Sequence, residues 1–355
     1  SNPHPLMAGL YVHIPFCRQK CAYCDFYSGP LRGFAPQDYA AALSRELEAR
    51  TLAPEYQTVY IGGGTPSTMP PQLLAPFFAL SAGERTIEVN PEDVSPHAAE
   101  LWLRAGANRV SMGVQSLIDS ELLAVGRRHS AAQAIEAFHT LRRAGFSNIS
   151  LDLIYGLPGQ TLRSWRQSLE GLLELAPEHL SAYSLSYEPG TLLHTRLMTG
   201  KIQETDEDEV VRMYHDLCSL TRSAGFEHYE ISNFARPGFH SRHNSAYWDS
   251  TPYLGLGPGA HSFDGTLRSF NPPNLPAYMN NPAGAFQIDP ETATERHNDV
   301  IMTALRTARG LNPGLLTEKE LLYARSHLSP TTQGNLRISE PDWLLADALT
   351  LPLLR

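Results

Sequence analysis

The sequence of 355 residues predicts an α/β fold in which a partial barrel of six β/α units precedes a smaller, mostly helical C-terminal region. From residue 10 to about residue 235, short apolar runs typical of strands alternate with amphipathic stretches typical of helices. Capping residues, prolines and glycines mark the ends of several of these stretches. Strands separated by single helices pair in parallel, so the pattern predicts a parallel sheet curled into a barrel or three-quarter barrel.

The elements of the barrel are predicted individually. The strands are expected at residues 10–14, 58–61, 86–89, 109–112, 150–154 and 180–185. The helices are expected at residues 36–50, 96–105, 131–144, 162–175 and 207–224. Pro36 suits the first turn of a helix, and Ser95 precedes Pro96 as an N-terminal cap. Glycines stand where three of these helices are expected to end, at Gly106, Gly145 and Gly225.

The composition changes after residue 235. Gly, Pro, Asn and aromatic residues dominate residues 236–285, and helical periodicity resumes at about 291–310. The last residues predict small helices and a short hairpin. We therefore divide the chain into an N-terminal tail (1–9), a barrel (10–235) and a C-terminal accessory region (236–355).

Charge and cysteine content restrict the partners and the compartment. The net charge is −9 and the basic residues are scattered, which argues against a nucleic-acid partner. No apolar run approaches the roughly 20 residues of a membrane-spanning helix, and no signal peptide is visible. Four cysteines make a poor disulfide framework for so long a chain. We expect a cytoplasmic protein that reaches the membrane surface only through its partners.

Unusual residues follow the ends of all six predicted strands. The carboxyl ends of the strands in a parallel β/α barrel form one rim, where active sites lie. The segments expected at this rim are residues 17–24, 62–66, 88–92, 113–116, 152–159 and 187–191. The coincidence of six polar or glycine-rich segments at one rim predicts a single functional site there.

Three cysteines of the first rim segment have the spacing of a metal site. Thiolates at Cys17, Cys21 and Cys24 can hold three corners of a cubane iron–sulfur cluster, which leaves one iron open to a small molecule. The alternative is a zinc site, with His13 as the nearest fourth ligand. Cys218 lies within a predicted helix, where a buried free thiol is expected.

The other rim residues each allow two interpretations. The backbone N–H groups of residues 62–66 can bind a carboxylate, or the glycines can serve a tight turn. Glu88 and Asp152 are carboxylates at strand ends that can bind a ligand or form buried ion pairs. Gln115 can satisfy backbone groups, and Arg127 can lie on a solvated helix face. Their common position at the rim favours ligand binding for all four side chains.

The cysteine motif resembles that of a known superfamily. Cys17-x3-Cys21-x2-Cys24, with Tyr23 before the third cysteine, resembles the signature of the radical S-adenosylmethionine (SAM) superfamily. The sequence Tyr-Val-His-Ile-Pro-Phe-Cys at residues 11–17 narrows the resemblance to the group that contains oxygen-independent coproporphyrinogen III oxidase (HemN) and the HemW haem chaperones. The resemblance extends from about residue 10 to 315 and implies a partial (β/α)6 radical SAM barrel.

The resemblance implies roles for the rim residues. The three cysteines would hold a [4Fe–4S] cluster whose open iron is chelated by SAM. The residues that match SAM contacts are Tyr11, Tyr23, Gly63, Gly64, Thr65, Glu88, Gln115, Arg127 and Asp152. One-electron transfer from the reduced cluster would cleave SAM, and a flavodoxin or ferredoxin would donate the electron.

Two features favour the HemW type over the oxidase. Phe26 stands where the oxidase pattern has a fourth cysteine. The segment from His243 through Tyr247 to Trp248 matches a His-Asn-x-x-Tyr-Trp motif associated with haem. Without the resemblance, these residues fit a packed loop in which Trp248 lies at the domain junction and His243 caps a backbone group. With it, they predict haem contacts, and His261 is a further candidate ligand.

We therefore expect a HemW-like haem chaperone that delivers haem to haem proteins such as membrane-associated respiratory enzymes. Its cofactors would be a [4Fe–4S] cluster, SAM and haem, with reductive SAM cleavage possible in principle. One alternative is the oxidase itself, which decarboxylates coproporphyrinogen III to protoporphyrinogen IX under anaerobic conditions. Another is a radical SAM enzyme with an unrelated substrate.

Overall fold

Six parallel strands in chain order form the centre of a twelve-stranded sheet in the computed structural model, which describes residues 8–30, 33–51 and 55–355. They are β1 (Gly9–Ile14), β2 (Thr58–Gly63), β3 (Glu84–Val89), β4 (Arg109–Gln115), β5 (Ile149–Tyr155) and β6 (His179–Ser184). Each overlaps the strand predicted from the sequence. The predicted order of β/α units is therefore confirmed.

Helices connect these six strands, and two further helices follow β6. They are α1 (Pro36–Arg50), α2 (Pro71–Phe78), α3 (Pro96–Ala105), α4 (Asp119–Ala124), α5 (Ala131–Ala144), α6 (Leu162–Glu174), α7 (Leu192–Met198) and α8 (Glu207–Ser223). Three predicted helices have the observed bounds, and the predictions for α6 and α8 end one residue too late. The boundaries are well defined because caps fix them: the Ser130 and Gln133 side chains form a reciprocal capping box at the start of α5.

Alternate residues of the six strands face two different environments. Apolar side chains such as Val59, Ile61 and Ile87 are fully buried in the main hydrophobic core of the protein. The intervening residues include Tyr60 and Glu88, which line a cavity inside the curved sheet. One face of the sheet thus supplies the core, and the other supplies polar side chains to a site.

Further strands extend both edges of the sheet. β7 (Glu227–Glu230) and β8 (Asn233–Ala235) are antiparallel and join β6 through β8. At the other edge, β9 (Tyr253–Leu256) pairs in parallel with β1, and three antiparallel strands follow: β10 (His261–Phe263), β11 (Arg268–Phe270) and β12 (Gln287–Asp289). The terminal strands β7 and β12 do not pair with each other within the described residues, so the sheet stays open. The predicted partial barrel is confirmed.

β9 is not predicted from the sequence, because it is short and contains a glycine. The glycine is required by a close contact, because a Cβ atom at Gly255 would lie 2.0 Å from the carbonyl oxygen of His261. The sheet therefore continues beyond residue 235, and the division of the chain into domains at that residue remains a prediction.

The C-terminal part is mainly helical, as expected. It contains α9 (Arg242–Trp248), α10 (Leu275–Asn280), α11 (Ala293–Leu305), α12 (Glu318–His327) and α13 (Ala346–Thr350). The expected short hairpin is formed by β13 (Ser329–Pro330) and β14 (Leu336–Arg337). No helix in the described ranges combines the length and apolar character needed to cross a bilayer.

Candidate metal and cofactor site

A cavity of about 450 Å³ lies inside the curved sheet and opens at the carboxyl ends of its strands. Five of the six predicted rim segments contribute to its wall, through residues that include Cys17, Gly64, Glu88, Gln115 and Asp152. The sixth segment, residues 187–191, does not line the cavity, and residues 183–186 at the end of β6 line it instead. The structure therefore brings together residues that are far apart in the sequence, from Cys17 to Asn244.

The three rim cysteines are free, partly buried and line this cavity. Backbone hydrogen bonds within the loop that carries them, and from this loop to the end of α4, fix its conformation. The N–H group of Cys17 donates to the Gly29 carbonyl at 2.9 Å, and the Ala22 N–H group donates to the Val125 carbonyl at 2.9 Å. The backbone contacts hold the thiols over the cavity.

The arrangement of the thiols fits a cluster better than a single zinc ion. Within the described ranges, no group of three ligand atoms lying within 4.8 Å of one another includes these sulfur atoms. The proposed fourth zinc ligand, His13, is also engaged at both nitrogens: Nδ1 by the Tyr11 hydroxyl at 3.0 Å and Nε2 by the Tyr27 carbonyl at 2.9 Å. Three more widely spaced thiols suit the corners of a cubane cluster. Such a cluster with SAM would supply reductive cleavage of the SAM carbon–sulfur bond.

Gly63 and Gly64 are required by close packing beneath the cysteine loop. A Cβ atom at Gly63, where φ is +113°, would lie 2.6 Å from His13 Nδ1, and one at Gly64 would lie 3.0 Å from the Cys17 sulfur. The interpretation that these N–H groups are free for a ligand is wrong, because Gly63 donates to Glu88 at 3.1 Å and Gly64 donates to Ile14 at 2.8 Å. The glycines instead let the second strand approach the cysteine loop.

Glu88 and Asp152 are two carboxylates without an ion-pair partner among the described residues. Glu88 accepts hydrogen bonds from the Tyr60 hydroxyl at 2.7 Å and from Gly63. Burial raises the pKa of Glu88 to about 7, the Tyr60 hydrogen bond lowers it, and the charge of Asp152 raises it. Burial also raises the pKa of Asp152, which accepts from the Ser111 hydroxyl at 3.2 Å. A cationic ligand would stabilise both ionised carboxylates.

The position of Asp152 differs from the expected one. It lies in the middle of β5 rather than at its end, and its side chain reaches the cavity from inside the sheet. Neither carboxylate has a cation within ion-pair distance among the described residues, although the charge of the buried Arg109 in the same wall lowers the pKa of both. Two buried carboxylates near one arginine leave room for further positive charge from a ligand.

Arg127 belongs to a hydrogen-bond chain between two of the thiols. Its guanidinium contacts the Cys21 sulfur at 3.5 Å and donates to the Asn90 side-chain oxygen at 2.9 Å. Asn90 donates to the Thr65 hydroxyl at 3.3 Å, and that hydroxyl contacts the Cys17 sulfur at 3.4 Å. The solvated-face interpretation of Arg127 is therefore wrong. The chain places a positive charge beside groups that bind metals as thiolates.

Three other predicted residues occupy different positions relative to the cavity. Tyr23 lines it, and so does Gln115, which has a left-handed backbone with φ of +69° where the pairing of β4 with β5 is irregular. Tyr11 is not part of the cavity wall, and its hydroxyl forms a hydrogen bond with His13. Gln115 is buried, so its strained backbone is held by its surroundings.

Sequence reasoning missed several polar residues of the cavity wall. Tyr60, Arg109, Ser111 and Ser181 lie within strands and face the cavity. The available signal was the polar residue at every second position of strands such as β3 and β4, which fits one polar-lined face. The strands were predicted from their apolar residues, so the polar residues that alternate with them were not considered as site residues.

Comparison with known proteins identifies the family. Residues 11–172 match the family model of the radical SAM superfamily. The chain is 35% identical to the protein named heme chaperone HemW of Mycobacterium tuberculosis, over 98% of this chain and 94% of that one. It is 34% identical to HemW of Bacillus subtilis, over 90% and 88% of the two chains. The chain belongs to the HemW family.

A solved structure shows the same fold. Coproporphyrinogen III oxidase (HemN) of Escherichia coli superposes with a TM-score of 0.81 over 98% of this chain and 90% of that chain, at 22% identity. Membership of the radical SAM superfamily implies a [4Fe–4S] cluster and SAM. The free thiols and the unpaired carboxylates around the cavity fit these two groups.

The haem-type motif of this HemW-family chain lies on α9, toward the opposite end of the barrel interior. The ring of His243 is 2% exposed, and both of its nitrogens are engaged: Nδ1 with the Thr58 hydroxyl at 2.8 Å and Nε2 with the Tyr247 hydroxyl at 2.9 Å. Backbone N–H groups of α9 donate to the Glu84 carboxylate, and Asn244 reaches the cavity. His243 has no free nitrogen in this conformation.

The two histidines predicted to contact haem have different environments. Burial lowers the pKa of His243 to about 3, so its ring is neutral. The alternative that it caps a backbone group is wrong, since its ring bonds two hydroxyl groups. His261 is exposed on β10, with its ring centroid 5.7 Å from that of Phe270. Trp248 is partly buried at the end of α9. The haem roles of these residues remain predictions.

Proposed function

We propose that this chain is a haem chaperone of the HemW type, which binds haem and passes it to haem proteins. The observation that carries this proposal is the similarity to proteins named heme chaperone HemW, which reaches 98% of the chain and so includes the region after the barrel. The acceptors we propose are respiratory and other haem proteins.

The cavity supports the binding of a cluster and SAM by particular residues. Cys17, Cys21 and Cys24 would hold the cluster, because they are the free thiols of the cavity wall. Glu88 and Asp152 would face the positively charged groups of SAM, which compensate two buried carboxylates. Further SAM contacts are proposed at Tyr23, Thr65, Gln115 and Arg127.

Phe26 supports the chaperone over the oxidase. Its side chain is 62% exposed and belongs to the cavity wall, at the place where the oxidase pattern has a fourth cysteine. A phenyl ring is no metal ligand, and an exposed apolar ring suits packing against a porphyrin face.

Haem ligation is proposed first at His261. Its ring is exposed, and an imidazole is a common axial ligand of haem iron. For His243 to ligate haem, its hydrogen bonds to Thr58 and Tyr247 must break. Haem binding at His243 would therefore require α9 to rearrange, and Tyr247 and Trp248 would then contribute aromatic contacts.

The test combines haem binding, haem transfer and decarboxylation. The full chain with its reconstituted cluster is titrated with haem, and the loaded protein is mixed with an apo-globin. In parallel, the protein is incubated with SAM, a reductant and coproporphyrinogen III. We expect a Soret band, transfer of haem to the globin and no vinyl-porphyrin product. Vinyl-porphyrin product would contradict the proposal and support the oxidase, whereas absence of both activities would support a radical SAM enzyme with another substrate.

A further inference from the structure

Three side chains that can bind metals meet outside the barrel cavity. They are Cys218 of α8, His228 of β7 and Glu340, the first residue of a 3₁₀ helix that spans Glu340–Leu345. One ligand atom from each residue lies within 4.8 Å of the other two. The His228 Nδ1 atom is 3.9 Å from the Cys218 sulfur and 2.9 Å from Glu340 Oε1. Ligand atoms around a tetrahedral zinc ion are about 3.3–3.6 Å apart, so small side-chain shifts would complete the geometry.

The surroundings of His228 favour a tautomer in which one ring nitrogen can bind a cation. Its Nε2 atom faces the Ile231 carbonyl at 3.4 Å, and its Nδ1 atom faces the Glu340 carboxylate. Both neighbours are acceptors, whereas a neutral imidazole carries only one N–H group. A proton on Nε2 leaves the Nδ1 lone pair directed toward the thiol and the carboxylate. This is the tautomer of a metal-bound histidine whose other nitrogen donates to a backbone carbonyl.

The surrounding residues hold the three ligands in place. The His228 ring lies between Phe234 and Trp343, with centroid distances of 3.9 Å and 4.3 Å. Arg222 forms an ion pair with the second oxygen of Glu340, so Oε1 remains directed at His228. The Tyr214 hydroxyl donates to the Glu340 backbone carbonyl at 2.9 Å. These contacts orient the ligands in the way that outer-sphere residues orient those of known metal sites.

We propose that Cys218, His228 and Glu340 bind one Zn²⁺ ion. Its ligands would be a thiolate, an imidazole and a carboxylate, with a water molecule reaching the fourth position from the side of Glu340, whose side chain is 23% exposed. The ion would join α8 and β7 to the C-terminal segment. The site is separate from the cluster cysteines and does not depend on the proposed haem function.

The test uses the full chain with its iron–sulfur cluster in place, so that the cluster cysteines are occupied. Equilibrium dialysis against Zn²⁺ followed by metal analysis should find one zinc per chain. Cys218→Ser and Glu340→Gln should each weaken Zn²⁺ binding on the order of tenfold or more, because each removes a ligand charge. His215→Ala removes an exposed histidine from the same helix and should bind zinc like the unaltered chain.

Two spectroscopic measurements locate the ion. Co²⁺ in place of Zn²⁺ should give a thiolate charge-transfer band that Cys218→Ser abolishes. It should also quench tryptophan fluorescence, and Trp343→Phe should remove that part of the quenching. Unchanged zinc stoichiometry and affinity in both Cys218→Ser and Glu340→Gln, with circular dichroism showing folded protein, would overturn the proposal. So would zinc that binds only after the cluster is removed.

Discussion

Both ends of the barrel interior carry side chains that can bind a ligand, but these side chains differ in whether their ligand atoms are available. At the carboxyl end, the cysteine thiols are free, and Glu88 and Asp152 have no paired cation among the described residues. At the end closed by α9, His243 is buried and both ring nitrogens have partners. The carboxylates and thiols also accept hydrogen bonds, but their oxygen and sulfur atoms keep further lone pairs for a ligand. A neutral imidazole with a partner at each nitrogen has none.

The residues proposed for the cluster and SAM and those proposed for haem differ in their accessibility. Most of the residues proposed to bind the cluster and SAM already face one cavity. The haem motif on α9 would have to rearrange before its histidine could ligate iron. A chaperone needs to bind haem and release it, and a ligand that competes with internal hydrogen bonds would bind haem reversibly.

The largest expected effect is loss of the cluster after substitutions at the carboxyl end of the strands. Replacing Cys17, Cys21 or Cys24 by Ala should abolish assembly of the cluster, because each removes one of three thiolate ligands. The measurements are the iron content and the broad visible absorption after anaerobic reconstitution. Cys218→Ala is the control and should retain about four irons per chain. A variant of the three rim cysteines that still binds four irons would contradict the assignment.

At the end closed by α9, substitution of the buried histidine should lower the stability of the protein. His243→Ala should lower the free energy of unfolding by about 2–4 kcal/mol, because it leaves a cavity and removes the partners of the Thr58 and Tyr247 hydroxyls. His261→Ala, at an exposed position, should change it by less than about 0.5 kcal/mol. Urea denaturation measures both values. Equal effects of the two substitutions would show that His243 is not packed as described.

The pH dependence of this difference has a definite sign. The pKa of His243 is lowered in the folded protein to about 3 from its ordinary value of 6.5. Unfolding below pH 6.5 therefore takes up a proton, and the stability linked to the neutral ring is lost as pH falls from 6.5 toward 3. The advantage of the unaltered chain over His243→Ala should narrow in that range. Haem titrations of the same variants show which histidine shifts the Soret band.

Sequence reasoning succeeded where the pattern is local. The helix at residues 131–144 was predictable because Ser130 caps it and Gly145 ends it in a left-handed conformation. The rim was predictable because strand ends of a parallel sheet share one edge. The state of His243 was not, since its partners Thr58 and Tyr247 come from two different elements. Nor was the use of the Gly63 N–H group by Glu88, a contact over 25 positions.

A smaller effect concerns the binding of SAM at Glu88. Because the pKa of Glu88 is raised to about 7, this carboxylate gains a proton as pH falls below 7 and then no longer attracts a cation. The affinity for SAM should therefore fall by up to about tenfold per pH unit below 7. Glu88→Gln should bind SAM weakly at pH 8 and lose this dependence. Calorimetric titrations between about pH 6 and 8, with the cluster present, measure it.

The same substitution should change how stability depends on pH. The ordinary pKa of 4.5 applies to the unfolded chain, so the folded state holds an extra proton between about pH 4.5 and 7. The contribution of Glu88 to stability therefore declines as pH rises through this window, and Glu88→Gln should lack that decline. A pH-independent SAM affinity in the unaltered chain would contradict the role of Glu88.

The smallest expected effect tests whether the two ends are independent, because Tyr60 contacts both. Its ring stacks on His243, with centroids 5.1 Å apart, and its hydroxyl donates to Glu88 at 2.7 Å. Tyr60→Phe keeps the stack and removes the hydrogen bond that lowers the pKa of Glu88. The midpoint of the pH dependence of SAM binding should therefore rise by about one unit, while the haem spectrum stays unchanged. An unshifted midpoint would show that the hydroxyl does not control Glu88. A shifted Soret band would show that the ends are coupled through Tyr60, since the altered hydroxyl lies beside Glu88 and not beside the His243 nitrogens.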